Sequence, residues 1–364
     1  MFEIIFLISI SLYFTLLVVL ALGATKTYPK LAESDLPTVS IIVAARNEEH
    51  NILDCLKSLA QLEYPEGKLE IIIVDDSSVD GTGKIITNFI EGRSNFTKIT
   101  TGRSIGNLRG KANAIANAVE ISKGEIIITT DADCTVAPAW AKTIASYYQD
   151  DVAFVGGYTT QEDDTAFHGM QAVDFIFLLT VAAGGMNLGK PLSCIGNNMS
   201  YRKSAYDEAG GYEKILFSVT EDFQVLMAIY NLKKYRIIYP LDVGALVTSK
   251  PCPGFRSLYK QKKRWGVGGL KSDISSFGVM VIAYFANLGL LLLPFFYSTV
   301  SLYLAAFKII TDYFFVYPVY KKLNLKISIK HFIAFEIYLI FYVLALPFAV
   351  LFNKKVEWKG REYI

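Results

Sequence analysis

Histidine is almost missing from this chain, with three in 364 residues. Catalysis by a histidine base, or by a metal held on histidines, therefore has few candidates. Cysteine is scarce as well. Cys55, Cys134, Cys194 and Cys252 have no paired spacing and no neighbouring histidine. That excludes a disulfide framework and a zinc site, and it suits a reducing compartment for the middle of the chain. No internal repeat or low-complexity tract is present. A formal net charge of +2 says little about partners, and no nucleic-acid partner is expected.

Charge is also absent from long stretches at both ends, where the 52% hydrophobic content is concentrated. Residues 2–22 are apolar apart from Glu3 and a few hydroxyls, carry no Lys or Arg, and are long enough to span a bilayer. A cleaved signal peptide is the competing reading, because ALGA resembles a small-residue cleavage site. Against it, no basic segment precedes the apolar run, while Lys26 and Lys30 follow it. The positive-inside rule then predicts a transmembrane helix over residues 1–24, with the chain beyond Lys26 in the cytoplasm.

Residues 274–307 carry no charge, and the apolar character continues to Val319 past Lys308 and Asp312. Spans are expected near 277–296, 299–319 and 332–352, about three over residues 274–352, followed by a tail at 353–364. Lys308 and Asp312, four apart on a helix, can pair inside the bilayer. Lys321, Lys322, Lys326 and Lys330 form a basic loop expected inside. Parity then puts the tail outside, although it carries Lys354, Lys355, Lys359 and Arg361. Either the last segment is re-entrant or the tail is an exception to the rule.

Between these ends, residues 38–130 alternate strand and helix. VSIIVAA at 39–45 reads as a buried strand, and residues 48–61 show helical spacing at Ile52, Cys55, Leu56 and Leu59. A second strand at 70–74 ends at Asp75 and Asp76. Ser77, Ser78 and Asp80 read as caps for a helix running towards Ile90. A strand at 96–100, an Ala-rich helix at 110–122 and a strand into Asp131 complete a βαβαβαβ pattern. The expected class is α/β with a doubly wound parallel sheet. Residues 152–250 are less regular. FIFLLTVAA at 175–183 is too short to span and reads as core or as an interfacial helix. Gly196, Asn197 and Asn198 form a polar turn, and Thr220 is an N-cap candidate before an apolar helix. Residues 256–271, RSLYKQKKRWGVGGLK, suit a basic helix lying on a membrane surface, within a segment at 251–273.

The chemistry gathers at strand ends. EIIITTDADC at 125–134 runs a short buried strand into Asp131 and Asp133. Residues at i and i+2 of an extended chain point the same way, so both carboxylates can face one point. Two close carboxylates repel unless a cation lies between them, and a hard ion such as Mg²⁺ or Mn²⁺ that also bridges phosphates suits the pair. A lone D-x-D is more often a solvated acidic turn. Here it ends a buried strand, where open α/β sheets bind ligands. Asp75 and Asp76 end another strand, Glu221 and Asp222 open a helix, and Gln261, Arg264 and Trp265 follow the spacing Q-x-x-R-W.

Taken in order, VDDSSVD, DAD, TED and QKKRW resemble the inverting family-2 glycosyltransferases with a GT-A, Rossmann-like fold. The similar branch includes cellulose, chitin and hyaluronan synthases and the ceramide glucosyltransferases. The resemblance covers about residues 37–270, with residues 37–250 as the nucleotide-sugar-binding domain and transmembrane helices flanking it. It implies that Ala44, Ala45, Arg46 and Glu48 hold the nucleobase, with Asp76 and Asp75 accepting from the uracil imide. It places Lys111 near the donor diphosphate, Asp131 on the ribose and Asp133, with Asp131, on Mg²⁺ or Mn²⁺. Arg264 would stabilise the departing diphosphate and Gln261 would hold the donor. Trp265, with Asn197 and Asn198, would face the acceptor. Asp222 resembles the general base, with Glu221 beside it.

One base and a stabilised leaving group imply single displacement with inversion, because a retaining double displacement needs a carboxylate nucleophile as well as an acid. The expected partners are a UDP-sugar donor, a membrane lipid acceptor and the bilayer. The expected setting is an integral multi-pass membrane protein with its catalytic domain in the cytoplasm, in the inner membrane if the cell is bacterial. A processive polysaccharide synthase of the same family is the nearest alternative, but its export tunnel needs more spans than are expected here. A sugar nucleotidyltransferase would want a Gly-rich phosphate loop after the first strand, where this chain has AARNEE. A non-catalytic scaffold would not be expected to keep Asp133, Asp222 and Arg264 together.

Overall fold

A computed structural model describes residues 1–215, 218, 220–270, 274–358 and 361–363. The elements run α1 (Phe2–Ala24), β1 (Val39–Ala45), α2 (Ile52–Ala60), β2 (Leu69–Asp75), α3 (Thr82–Ile90), β3 (Phe96–Thr100) and α4 (Lys111–Ile121). They continue with β4 (Ile126–Asp131), β5 (Cys134–Val136), α5 (Trp140–Ala145), β6 (Val152–Gly156), β7 (Thr159–Gln161) and α6 (Ala166–Asn187). Next come β8 (Met199–Arg202), α7 (Lys203–Glu208), α8 (Gly211–Lys214), α9 (Glu221–Asn231), β9 (Arg236–Ile238) and β10 (Val247–Ser249). The chain closes with α10 (Phe255–Gly269), α11 (Ile274–Leu292), α12 (Thr299–Lys322), α13 (Ile329–Phe352), β11 (Val356–Trp358) and β12 (Arg361–Tyr363). It divides into two compact units, one built from residues 26–160 and 193–250, the other from residues 1–25, 161–192 and 251–364.

The first unit is a seven-stranded sheet in the order β3-β2-β1-β4-β8-β6-β9, with helices packed on it. β1, β2, β3 and β4 are parallel, as the alternating pattern predicts. β8 inserts antiparallel between β4 and β6, so the sheet is mixed and not wholly parallel. β1 is buried along almost its whole length, as befits a strand covered on both faces. Its Ile41 and Val43 share a core with Ile52, Cys55, Leu56 and Leu59 of α2 and with Trp140 of α5. α4 packs on β1 and β2. A second sheet, β5-β10-β7, follows directly from the turn that ends β4.

α2 starts at Ile52, four residues later than the spacing suggests. The side chains of Glu48 and Asn51 bond to each other at 2.7 Å, and the Glu48 amide donates to Thr82 Oγ1. Those residues therefore shape a loop. The N-cap of α3 is Gly81 by position, with no side-chain bond of its own. Of the expected cap residues, Asp80 does serve the helix start, accepting from the amide of Thr82, the first residue of α3, and also from that of Glu49, whereas Ser77 and Ser78 lie in the loop before it. Thr220 is the N-cap of α9 by position but makes no capping bond, because its hydroxyl contacts Ser218.

The second unit is helical. α1 packs on α6, α11 and α12, α6 also on α12 and α13, and α10 on α13. α1 and α6 approach at Gly23 and Gly184, where a Cβ on either would collide with the other helix's backbone. Small residues allow such approach between apolar helices. Lys308 lies 2.6 Å from Asp312 and 2.9 Å from Glu336 of α13, with both Lys308 and Asp312 wholly buried. Tyr13 of α1 donates to Asp312 at 2.8 Å. The expected pair is thus the centre of a cluster joining three helices.

α1, α6, α12 and α13 are long and apolar enough to cross a membrane. The expected short helix at 175–183 is therefore the middle of a 22-residue helix. α11, at 19 residues, is shorter than these four. It ends before Pro294, which cannot donate to a continuing helix, so the apolar stretch expected at 277–296 is helical only to Leu292. The expected basic helix ends at Gly269, and Lys271 at its predicted end lies outside the described residues. β11 and β12 pair as a hairpin in the tail, while Lys359 within WKGREY also lies outside the described residues.

Candidate active site

Parallel register places Ala44 of β1 beside Asp131 of β4, and Ala45 beside Asp75 of β2. Three strands thus end at one edge with their polar residues together, as open α/β sheets do where they bind ligands. The loops beyond β1 and β2 interlock. Arg46 Nη1 donates to the carbonyls of Asp76 (2.6 Å) and Ser77 (3.3 Å). The Asn47 amide donates to Ser78 Oγ, and the Val79 amide to Asn47 Oδ1. Asn47 and Ser77 hold positive φ angles of 52° and 55°, a backbone that non-glycine residues adopt rarely and mostly where surrounding contacts enforce it. Asp75 accepts from the Ser78 amide at 3.0 Å, and Asp76 accepts from Thr101 Oγ1 at 3.1 Å.

At the end of β4, Lys111 opens α4 after Gly110, whose φ of 57° and ψ of −135° favour glycine. Asn113 fixes this first turn, accepting from the Ile105 amide and donating to the Arg103 carbonyl. The Lys111 ammonium lies 2.5 Å from Asp131 Oδ1 and 3.6 Å from Glu221 Oε1. Asp222 is on the same spot: a Cβ on Gly196 would stand 3.4 Å from Asp222 and 3.5 Å from Lys111 Nζ. Thr129 of β4 holds that turn by donating to the Gly196 carbonyl at 2.8 Å. Burial acts to lower the Lys111 pKa, but Asp131, Glu221 and Asp222 outweigh it and hold the ammonium above its ordinary range.

Two thiols lie behind the D-x-D. Cys134 contacts Asp133 Oδ1 at 3.5 Å, and Cys55 contacts the Asp131 carbonyl at 3.6 Å. Burial, then the charges of Asp133 and Asp131, push both thiols up, so they stay protonated. Among the described residues there is no cluster of three or more His, Cys, Asp or Glu shaped to hold a metal. Asp131 and Asp133 offer two hard oxygen donors and no thiolate. That set fits Mg²⁺ or Mn²⁺, which take one or two carboxylates and complete their shell with phosphate and water.

The asparagines fare differently. Asn198 is 1% exposed. It accepts from Trp140 Nε1 at 3.1 Å and donates to the carbonyls of Tyr158 (2.6 Å) and Ala245 (2.8 Å). Both of its amide protons and one acceptor site of its oxygen are thus engaged within the core. Asn197 is buried too, and its Oδ1 accepts from Thr159. Gln261, Arg264 and Trp265 lie on α10, in the helical unit. There Trp265 packs on Phe175 of α6 at 5.7 Å between ring centroids. Lys262, expected on a membrane-facing surface, is buried and paired with Asp174. The thiols, Thr129 and this pair carry no local signal, because each is defined by a partner distant in sequence.

The fold resembles that of the mannosyltransferase PcManGT from Pyrobaculum calidifontis, solved with GDP-Man and Mn²⁺. The likeness covers 95% of this chain and 99% of that one, with a TM-score of 0.58 at 18% identity. A probable glycosyltransferase, YdaM, of Bacillus subtilis (strain 168) is 29% identical over 290 residues, 72% of this chain and 65% of that protein. A beta-monoglucosyldiacylglycerol synthase of Nostoc sp. (strain PCC 7120) is 29% identical over 270 residues, 70% of this chain and 54% of that protein. A poly-beta-1,6-N-acetyl-D-glucosamine synthase of Staphylococcus aureus (strain COL) is 26% identical over 268 residues, 72% and 61% respectively. The chain spans between 54% and 65% of the length of these curated relatives. The family model Glycosyl transferase family 2 matches residues 40–210, and Glycosyl transferase family group 2 matches residues 126–352, more than half of the chain. The chain therefore belongs to the family-2 glycosyltransferases, and its α/β unit has the GT-A fold.

Proposed function

We propose that this protein is a membrane-bound, inverting hexosyltransferase that moves one sugar from a UDP-sugar to a membrane lipid. The observation that carries this reading is the meeting of Lys111 with Asp131, Glu221 and Asp222 at the end of β4. An ammonium there offsets the charge of a donor diphosphate, and a carboxylate beside it takes the proton of an acceptor hydroxyl. Asp222 acts as that base, with Glu221 next to it on the first turn of α9. Asp75, Asp76, Ala44, Arg46 and Glu48 enclose the nucleobase, and Asp131 reaches the ribose. Gln261 and Arg264 hold the donor and its leaving diphosphate, and Trp265 faces the acceptor. Asp133, with Asp131, would hold Mg²⁺ or Mn²⁺, which when bound offsets charge on the departing diphosphate.

Four helices long and apolar enough to span support a multi-pass membrane protein, and Lys26 and Lys30 support a cytoplasmic catalytic unit. The likeness to a beta-monoglucosyldiacylglycerol synthase supports a lipid acceptor. The likeness to poly-beta-1,6-N-acetyl-D-glucosamine synthases favours a second reading, processive chain synthesis. Purified protein in vesicles containing diacylglycerol, given a panel of UDP-sugars, separates the two. A mono-glycosylated lipid extractable into organic solvent is the expected product. A long water-soluble polymer would overturn the lipid reading in favour of the second.

A further inference from the structure

One face of α6 meets α10 and the segment just before it. Phe167, Gln171 and Asp174 follow each other at helical spacings of four and three, and Phe175 lies four beyond Gln171, so the four side chains share one broad face. Phe167 packs on Phe255 at 4.6 Å between ring centroids. Gln171 Nε2 donates to the Cys252 carbonyl at 3.1 Å, and its Oε1 accepts from the Cys252 amide at 2.9 Å. Asp174 accepts from the Lys262 ammonium, and Phe175 meets Trp265. The Lys262 ammonium also lies 4.4 Å from the Trp265 ring centroid and 5.0 Å from that of Tyr342 on α13.

We infer that Asp174 and Lys262 are a positioning pair, through which α6 sets the rotation of α10 and so aims Gln261, Arg264 and Trp265. The inference rests on the reading that these three side chains serve glycosyl transfer. The pair's side chains are only 2% and 4% exposed, inside a helix otherwise apolar enough to cross a membrane. Two apolar residues would stabilise such a site as well or better, so the charge has its use in orientation. At about 100° per residue, Trp265, Gln261 and Arg264 lie about 60°, 100° and 160° to one side of Lys262, within a single arc. Pinning Lys262 inward therefore aims all three at once. A roll of about 20° would move an atom about 6 Å from the helix axis by about 2 Å. Displacements of about 1 Å already cost about 10²-fold in rate.

The test uses the full chain in diacylglycerol vesicles with UDP-glucose, UDP-galactose and UDP-N-acetylglucosamine, reading kcat and KM from UDP release alongside the melting temperature. Asp174→Leu combined with Lys262→Met replaces the pair by apolar bulk, and Asp174→Glu keeps the charge but shifts the carboxylate by one methylene. The expected result is an unchanged melting temperature with kcat/KM lowered about 10- to 100-fold in the double variant and by a smaller factor in Asp174→Glu. A spin-label distance between Tyr259→Cys on α10 and Ile333→Cys on α13, in a Cys252→Ser background, reports the roll without substrate and is expected to shift or broaden. Variants that melt, turn over and hold that distance as the parent does would overturn the inference. A parent that releases no UDP with any of these donors would overturn the proposed transfer from a UDP-sugar to this lipid, and the spin-label distance would still decide whether the pair sets the helix.

Discussion

The Lys111 ammonium stands 2.5 Å from the Asp131 carboxylate, joining the start of α4 to the end of β4. Lys111→Met is expected to weaken donor binding by about 10- to 100-fold, the loss of a charge-assisted contact of about 1.5–3 kcal/mol. The measurement is UDP affinity by calorimetry. The raised pKa of Lys111 also fixes a sign. The stability it contributes is fully present below the unfolded-state pKa, near the ordinary 10.5, and is lost only as pH rises through the higher folded value. A limb near neutrality in the pH–rate profile therefore belongs to another group, and it should persist in Lys111→Arg.

Asp222→Asn is expected to lower kcat by about 10²–10⁴-fold, the usual contribution of a general base. UDP affinity should stay close to the parent value. Near-normal turnover would move the base elsewhere, and loss of UDP binding would move Asp222 into the donor site.

A chelator is expected to abolish transfer, with Mn²⁺ or Mg²⁺ restoring it, because the two carboxylates of the D-x-D suit a hard ion. Asp133→Ala should raise the metal concentration needed for half-activity. Full activity in chelator would remove the metal from the reaction.

Asn198→Ala is expected to destabilise the α/β unit by about 2–4 kcal/mol, since it leaves Trp140 Nε1 and two buried carbonyls without their partner. Thermal unfolding followed by tryptophan fluorescence measures this. An unchanged melting temperature with altered acceptor KM would restore Asn198 to the acceptor site.

The parallel half of the sheet was legible because β1 and β4 are buried runs whose composition alone marks them, and Lys308 with Asp312 was legible from a spacing of four. What escaped was set by distant partners. Counting apolar residues at 175–183 stops at Asp174, yet that carboxylate is accommodated in the longer α6 because Lys262 neutralises it. Glu48 looked helical by spacing but bonds to Asn51 and Thr82 in a loop. Asn198 was expected in a polar turn facing the acceptor, and only the fold reveals its bonds to Trp140, Tyr158 and Ala245. Glu336 and Tyr13 join the Lys308 cluster from helices that no local pattern connects to it.

The position of β8 bears on how the protein is born. Met199–Arg202 lies between β4 and β6, bonded to both, yet it is translated after both and after α6. While the ribosome adds the roughly 70 residues between β4 and the end of β8 at about 5–20 per second, for on the order of ten seconds, β4 presents an open edge. Such edges are templates for pairing with the wrong chain. A nascent chain stalled before residue 199 should therefore depend on a holding chaperone, while one stalled just beyond residue 202 should not.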